Sequence, residues 1–181
     1  MTLQLWGRPS SARTQKVMLA LSELNLTYEF IKASATMGPK GSVSRGNIPY
    51  GIVNTTEYLE KNPNGTIPTI SDEGFILWES NAIVQYLGMK YNPKLFYDAN
   101  IETFASASRW MMWENNQLIP PMHDLAKHLY RLPENQRDEN VVRTSKEKLF
   151  LEFQKVEVQL SKTRFISGCL LYTSPSPRDR G

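Results

Sequence analysis

The hydrophobic period changes once along the chain, near Asn92, and that change limits the folds open to it. Before it, short β-rich runs alternate with helical stripes; after it only the helical period survives. Leu3, Leu5 and Trp6 open a strand. A helix is predicted over residues 11–25, with Val17, Ala20, Leu21 and Leu24 on one face. Residues 27–31 alternate and read as a second strand. Residues 38–51 hold four glycines and two prolines and read as a loop. Residues 67–71 and 75–77 read as two strands joined by the turn tripeptide Asp72-Glu73-Gly74, and Glu79-Ser80 opens a helix carrying Ile83, Tyr86 and Leu87 on one side. This order predicts an α/β domain built on a mixed sheet over residues 1–90.

Residues 95–168 read as an all-α domain. A helix over residues 100–119 sets Phe104, Ala107, Met111 and Leu118 along one stripe, and Pro120-Pro121 is expected to end or kink it. A second helix over residues 139–161 repeats the pattern with Leu149, Phe153, Val156 and Leu160. Residues 169–181, CLLYTSPSPRDRG, have no periodicity and resemble the translation of a transposase sequencing adapter, so they are set aside from the fold. The single cysteine, Cys169, lies in that tail. The remainder therefore offers no disulfide, thiolate metal site or cysteine nucleophile. On this reading the chain is C-terminally incomplete, and both long helices are expected to be partly uncovered.

Charge and hydropathy narrow the function. A net charge of +3, with no clustered Lys/Arg run, does not mark a nucleic-acid surface. No apolar run approaches the roughly 20 residues that span a bilayer. The N-terminus lacks the basic and long apolar regions of a signal peptide, so a cytoplasmic protein is expected, with no membrane partner. His123 and His128 stand five apart, off any shared helical face, and no metal site is expected.

Three short segments could carry chemistry. Ser10-Ser11 stands between a strand and a helix, where a serine caps the helix and a hydroxyl beside the positive N-terminus can also stabilise an anion, a thiolate above all. Thr66-Ile67-Pro68 puts a proline at a strand start; a cis bond there would expose the Ile67 backbone to an extended peptide ligand. Glu79-Ser80 could cap the third helix, or could receive a zwitterion, with its carboxylate on Ser80 and its ammonium on Glu79. Trp110 to Trp113 is an apolar stretch that serves as core or as pocket wall, with Arg109 beside it.

The strings LWGRPSSARTQKVMLALSELNLTYE, NPNGTIPTI and ILWESNAIVQYL resemble the N-terminal domain of the glutathione S-transferase superfamily, and RWMMWENNQL is similar to the start of its C-terminal domain. The resemblance implies a thioredoxin-like glutathione-binding domain followed by a helical domain that supplies the second-substrate pocket. It implies glutathione as co-substrate, a small electrophile as partner, and a homodimer. Ser11 matches the serine of the theta, phi and delta-like branches, with Ser10 as competitor, while Trp6 stands where tyrosine-type members carry their hydroxyl. Glu79 and Ser80 would hold the γ-glutamyl group, Ile67 before Pro68 would pair with the cysteinyl backbone, and Thr66 stands where many relatives have Gln. Arg109, Trp110 and Trp113 are the candidates for the electrophile pocket. The expected activity is conjugation of the glutathione thiolate to an electrophile. A dehalogenase using the same serine, or a non-catalytic binding or scaffold module of the same fold, is the alternative.

Overall fold

The computed structural model describes residues 3–34, 44–45, 48–49, 51–97 and 99–167. Most of the predicted loop at residues 38–51 and the whole of residues 169–181 lie outside them, so the adapter reading of the tail does too. The chain divides into two units, Met1–Tyr91 and Asn92–Gly181.

The first unit is a thioredoxin-like layer of sheet and helices. Its strands are β1 (Leu3–Gly7), β2 (Tyr28–Lys32), β5 (Thr69–Asp72) and β6 (Phe75–Trp78), in the order β2-β1-β5-β6. β1 pairs with β2 in parallel and with β5 antiparallel, and β5 pairs antiparallel with β6. The parallel crossover is helix α1 (Ala12–Glu23), shorter at both ends than the sequence suggests because Ser11 caps it and Leu24 ends it. Val17, Ala20 and Leu21 are buried as expected, whereas Leu24 is only half-buried. Between β2 and β5 the sequence predicts only a loop; the structure adds a two-residue hairpin, β3 (Ser44–Arg45) with β4 (Ile48–Pro49), and a single helical turn, α2 (Thr56–Leu59). Glycine-rich spacing hides such short elements, since two residues per strand leave no alternation to read.

The hairpin between β5 and β6 behaves as its sequence predicts. Asp72 pairs with Phe75, leaving Glu73 and Gly74 as a two-residue loop, and both have positive φ, 54° and 92°. That is the combination a tight primed turn needs to match the strand twist. Helix α3 (Ser80–Tyr91) follows, burying Ile83, Val84 and Leu87, and packs beside α1. Trp6 is buried with Ala33, Val53 and Tyr58 on one face of the sheet; strand alternation puts Leu3 and Leu5, also buried, on the other.

The second unit is helical: α4 (Pro93–Tyr97), α5 (Ile101–Trp113), α6 (Ile119–Ala126) and α7 (Glu139–Leu160). Of the two outcomes expected at Pro120-Pro121, an end or a kink, the structure shows no end: the helical path continues, with its regular α geometry interrupted just before the prolines. A wide π turn over Glu114–Leu118 precedes them, and the prolines occupy the first turn of α6, where a missing N–H leaves no intrahelical bond unmade. A second π turn, Lys127–Arg131, follows α6. Along α7 only Ser145 and Leu149 are fully buried, and Phe150, Leu151, Phe153 and Val158 are exposed, so the predicted stripe is covered at Leu149 and open at Phe153.

One buried carboxylate ties the hairpin to the far end of α3. Asp72, 2 % exposed at its side chain, accepts hydrogen bonds from the Tyr86 hydroxyl (2.8 Å), the Tyr91 hydroxyl (2.8 and 2.9 Å) and the Lys90 ammonium (2.9 Å). Burial pushes its acidity toward the neutral form, but the hydrogen bonds from Lys90, Tyr86 and Tyr91 and the Lys90 charge outweigh it, so the carboxyl titrates below its usual range. Lys90 is held well above the ordinary lysine value by its bonds to Asp72 and Glu73. Since the folded Asp72 is the stronger acid, its contribution is present above about pH 4 and lost as pH falls through the depressed folded value. Melting temperature is therefore expected to fall steeply below about pH 4, and Asp72→Asn should flatten that limb. The same substitution should cost about 3 kcal/mol at pH 7, measured by urea unfolding, because it strands a buried network without its charge.

Candidate functional site

Three chain ends meet at one edge of the sheet. Trp6 of β1 pairs with Thr69 of β5, and Thr69 pairs with Trp78 of β6, so these residues form a row. Beyond that row lie the end of β1 with the start of α1, the turn that enters β5, and the end of β6 with the start of α3. Ser11, Ile67 and Glu79 leave the sheet from that same edge.

At the first end, Gly7 lies so close to α1 that an added Cβ would stand 2.4 Å from Thr14 Cγ2. Thr14 is fully buried, and its Oγ1 accepts from the Arg8 amide at 3.4 Å. The strand end is thereby locked to the first turn of the helix. Ser11, half-buried with extended backbone (φ −89°, ψ 119°), is the N-cap: its Oγ accepts from the Thr14 amide at 3.4 Å. The cap uses an oxygen lone pair and leaves the hydroxyl proton to donate elsewhere, so capping and anion binding are compatible. Ser10 is exposed in the preceding turn, and Trp6 is buried.

At the second end, Ile67–Pro68 is cis. A buried polar cluster, which the sequence reading missed, brackets this turn. Tyr58 donates to the Thr66 carbonyl at 2.6 Å, and fully buried Asn62 donates to the same carbonyl at 2.9 Å and to Thr69 Oγ1 at 3.1 Å. Tyr58 and Thr69 lie 3.0 Å apart; with the phenolic proton committed to Thr66, Thr69 is the donor to Tyr58. Burial pushes the Tyr58 hydroxyl up in pKa, which keeps that proton in place. Every donor in the cluster has an acceptor, so the backbone of residues 66–68 is fixed while the Thr66 side chain stays exposed.

At the third end, Glu79 leads from β6 into α3. Glu79 stands at the N-cap position, its carbonyl accepting from the Ile83 amide at 2.9 Å, but with a left-handed backbone of φ 71° rather than the extended one typical of a cap. Its side chain is exposed and faces Arg13 of α1, Nη1 to Oε2 at 3.9 Å. Ser80, next in sequence, is 5 % exposed. Lys16 Nζ donates to Asn81 Oδ1 at 2.8 Å, so the starts of α1 and α3 are joined by two basic side chains that sequence reasoning did not single out. Their signal was present: cations three apart in the first turns of a helix, where the dipole disfavours them.

The remaining candidates lie in the second unit, on α5. Trp110 and Trp113 form an edge-to-face pair with centroids 5.2 Å apart, and the Trp110 indole N–H is buried without a hydrogen-bond partner among the described residues. Arg109 is exposed and donates to Ser106 Oγ at 3.3 Å. His123 is exposed, whereas His128 Nδ1 accepts from the Asp138 amide at 3.0 Å and so fastens the second π turn to the start of α7. Among the described residues no group of three His, Cys, Asp or Glu side chains is placed to hold a metal ion, and no helix is long and apolar enough to cross a membrane.

A thioredoxin-like domain followed by a helical domain is also the architecture of the known proteins that this chain resembles. The model of the "Glutathione S-transferase, N-terminal domain" family matches residues 5–95. Glutathione S-transferase GstB of Escherichia coli (strain K12) is 33 % identical over 168 residues, covering 92 % of this chain and 74 % of that protein. The theta class glutathione S-transferase from Xanthomonas axonopodis pv. citri with glutathione bound superposes with a TM-score of 0.79 at 29 % identity, covering 95 % of this chain and 77 % of that one. Glutathione S-transferase I from mais in complex with an atrazine glutathione conjugate gives 0.77 at 25 %, covering 94 % and 75 %. The chain belongs to the glutathione S-transferase family.

A glutamate in left-handed backbone costs stability of order 1–2 kcal/mol. Glu79→Gly removes the clash but adds chain entropy to the unfolded state. The net expectation is a gain of about 0.5–1 kcal/mol in unfolding free energy, read by urea titration.

Proposed function

We propose that the chain activates the thiol of glutathione as its thiolate at Ser11 and conjugates it to a small electrophile. The observation that carries this reading is the row Trp6–Thr69–Trp78, which sends the Ser11 hydroxyl, the Ile67 backbone and the Glu79-Ser80 pair out from one sheet edge. A γ-glutamyl tripeptide presents a zwitterionic head, an extended backbone and a thiol in that sequence of needs. Glu79 takes the ammonium, and Ser80 with the start of α3 takes the carboxylate. Ile67 lies outside every strand and, among the described residues, its backbone groups enter no turn bond, which suits them to pair with the cysteinyl residue. Thr66 contributes its carbonyl to the cluster below rather than a long side chain to the ligand.

The magnitudes are sufficient. A free thiol near pKa 8.5 is only about 3 % thiolate at pH 7. Lowering that value by about two units requires roughly 2.7 kcal/mol. A hydroxyl donating to a charged sulfur supplies about 1.5–3 kcal/mol, and the start of α1 a further 0.3–1 or so. The aromatic pair Trp110–Trp113, with Arg109, is the proposed contact surface for the electrophile, on the helical unit.

Two measurements test this. Glutathione at about 100 times its dissociation constant should stabilise the chain by about 2.7 kcal/mol, seen as a rise in melting temperature; no rise refutes a working site. Ser11→Ala should lose about 1 kcal/mol of stability with the cap, keep glutathione affinity within a few-fold, and lose conjugation activity by at least about tenfold as the bound thiol returns toward its free pKa. The ultraviolet absorbance of bound thiolate, followed against pH, reads that shift directly. Undiminished turnover in Ser11→Ala would move the role to Ser10 or to the backbone amides.

A further inference from the structure

The Thr66 carbonyl receives two donors, Tyr58 Oη at 2.6 Å and Asn62 Nδ2 at 2.9 Å. Both come from buried residues, although Thr66 itself is at the surface. The donors are driven in turn. The Asn64 amide donates to Asn62 Oδ1 at 3.1 Å, Asn62 Nδ2 donates to Thr69 Oγ1 at 3.1 Å, and Thr69 donates to Tyr58 Oη at 3.0 Å. The chain of bonds therefore runs one way, from Asn62 through Thr69 and Tyr58 to Thr66. Each bond in such a chain strengthens the next by roughly 10–30 %.

The peptide that carries the Thr66 carbonyl also carries the Ile67 amide. Two donors on its oxygen draw charge through the conjugated C–N bond and leave the N–H more positive, hence a stronger donor. This peptide is trans, so its N–H points opposite to its carbonyl. The oxygen turns toward buried Tyr58 and Asn62, and the N–H turns away from them. Ile67 is half-buried and outside every strand, and among the described residues its amide enters no turn bond. With both lone pairs of its oxygen filled, the peptide accepts nothing further and donates strongly.

We infer that Tyr58 and Asn62 are positioning residues that act through the Thr66–Ile67 peptide, strengthening the Ile67 N–H as donor to the cysteinyl carbonyl of glutathione. The inference rests on the glutathione reading above. It adds the polarity that the turn presents and the buried groups that set it. The chain thereby favours thiols that carry a peptide carbonyl after the cysteine over small thiols that lack one.

The test is calorimetric binding of two probes to the full chain. One is glutathione; the other has a trans-alkene in place of its cysteinyl–glycine amide, which keeps the shape and lacks that carbonyl. Wild type should bind the alkene more weakly. Tyr58→Phe, which removes the hydroxyl alone, should weaken glutathione about three- to tenfold and leave the alkene within about two-fold. KM for glutathione should rise in step, with kcat at saturating glutathione and the thiolate titration unmoved. In amide nitrogen–proton spectra the Ile67 proton should shift upfield in Tyr58→Phe while the Ile70 proton of β5 keeps its place. A merely structural hydroxyl would move both or neither. Thr69→Val, which interrupts the chain one bond earlier, should give the same pattern with a smaller loss, and decides the matter if Tyr58→Phe does not fold. Equal weakening of both probes, no weakening of either, or an unmoved Ile67 amide overturns the relay, while wild-type binding of glutathione leaves the glutathione reading standing. A wild-type chain that binds neither probe overturns both.

Discussion

The pairing that sets Thr69 between Trp6 and Trp78 governs the geometry of the candidate edge. A slip of one residue in either ladder would send the next side chain to the other face of the sheet and move one of the three site segments by about 3.3 Å. The register is held from both sides. The primed turn at Glu73-Gly74 fixes β5 against β6, and the Asn62, Tyr58 and Thr69 cluster fixes the entry to β5. Gly7, pressed on Thr14, does the same for β1 and α1.

Stability is unevenly distributed along α3. Its near end is compromised by the left-handed Glu79 and by the charges gathered there. Its far end is secured by Asp72, whose carboxylate collects Tyr86, Lys90 and Tyr91 from the last two turns of the helix. The anchor is distant from Glu79, so the strained end can be held in place without supplying its own stability.

Elements with their own period were legible in the sequence, and contacts between distant residues were not. The strand and helix order, the primed turn and the change near Asn92 follow from local pattern, as does Ser11 at a cap. Residues 44–49 were not legible as a hairpin, because two-residue strands carry no alternation. Nor was the continuation through Pro120-Pro121, since the π turn that accommodates the rings has no sequence signature of its own. Asn62 and Tyr58 reveal their purpose only when the fold folds Thr66 back over them. The facing of Arg13 and Glu79, 66 positions apart, required the packing of α1 on α3. Glu79 itself was found by its place before a serine and a helix, but its backbone conformation was not, because glutamate is not a residue that signals positive φ.

The π turn at Glu114–Leu118 has a consequence for how the helical unit can change. A π turn is an α-helical turn holding one residue more than its share, so it behaves as an insertion the helix has absorbed without breaking. Residues before it and after it therefore have independent angular phases, although they share one path. Trp110 and Trp113 lie just ahead of that point and the residues of α6 just behind. Descendants of this sequence can rotate one set of side chains relative to the other by gaining or losing a single residue at 114–118. Meanwhile the first unit, where a single-residue slip would be ruinous, keeps its pairing, so novelty in this molecule has a preferred address.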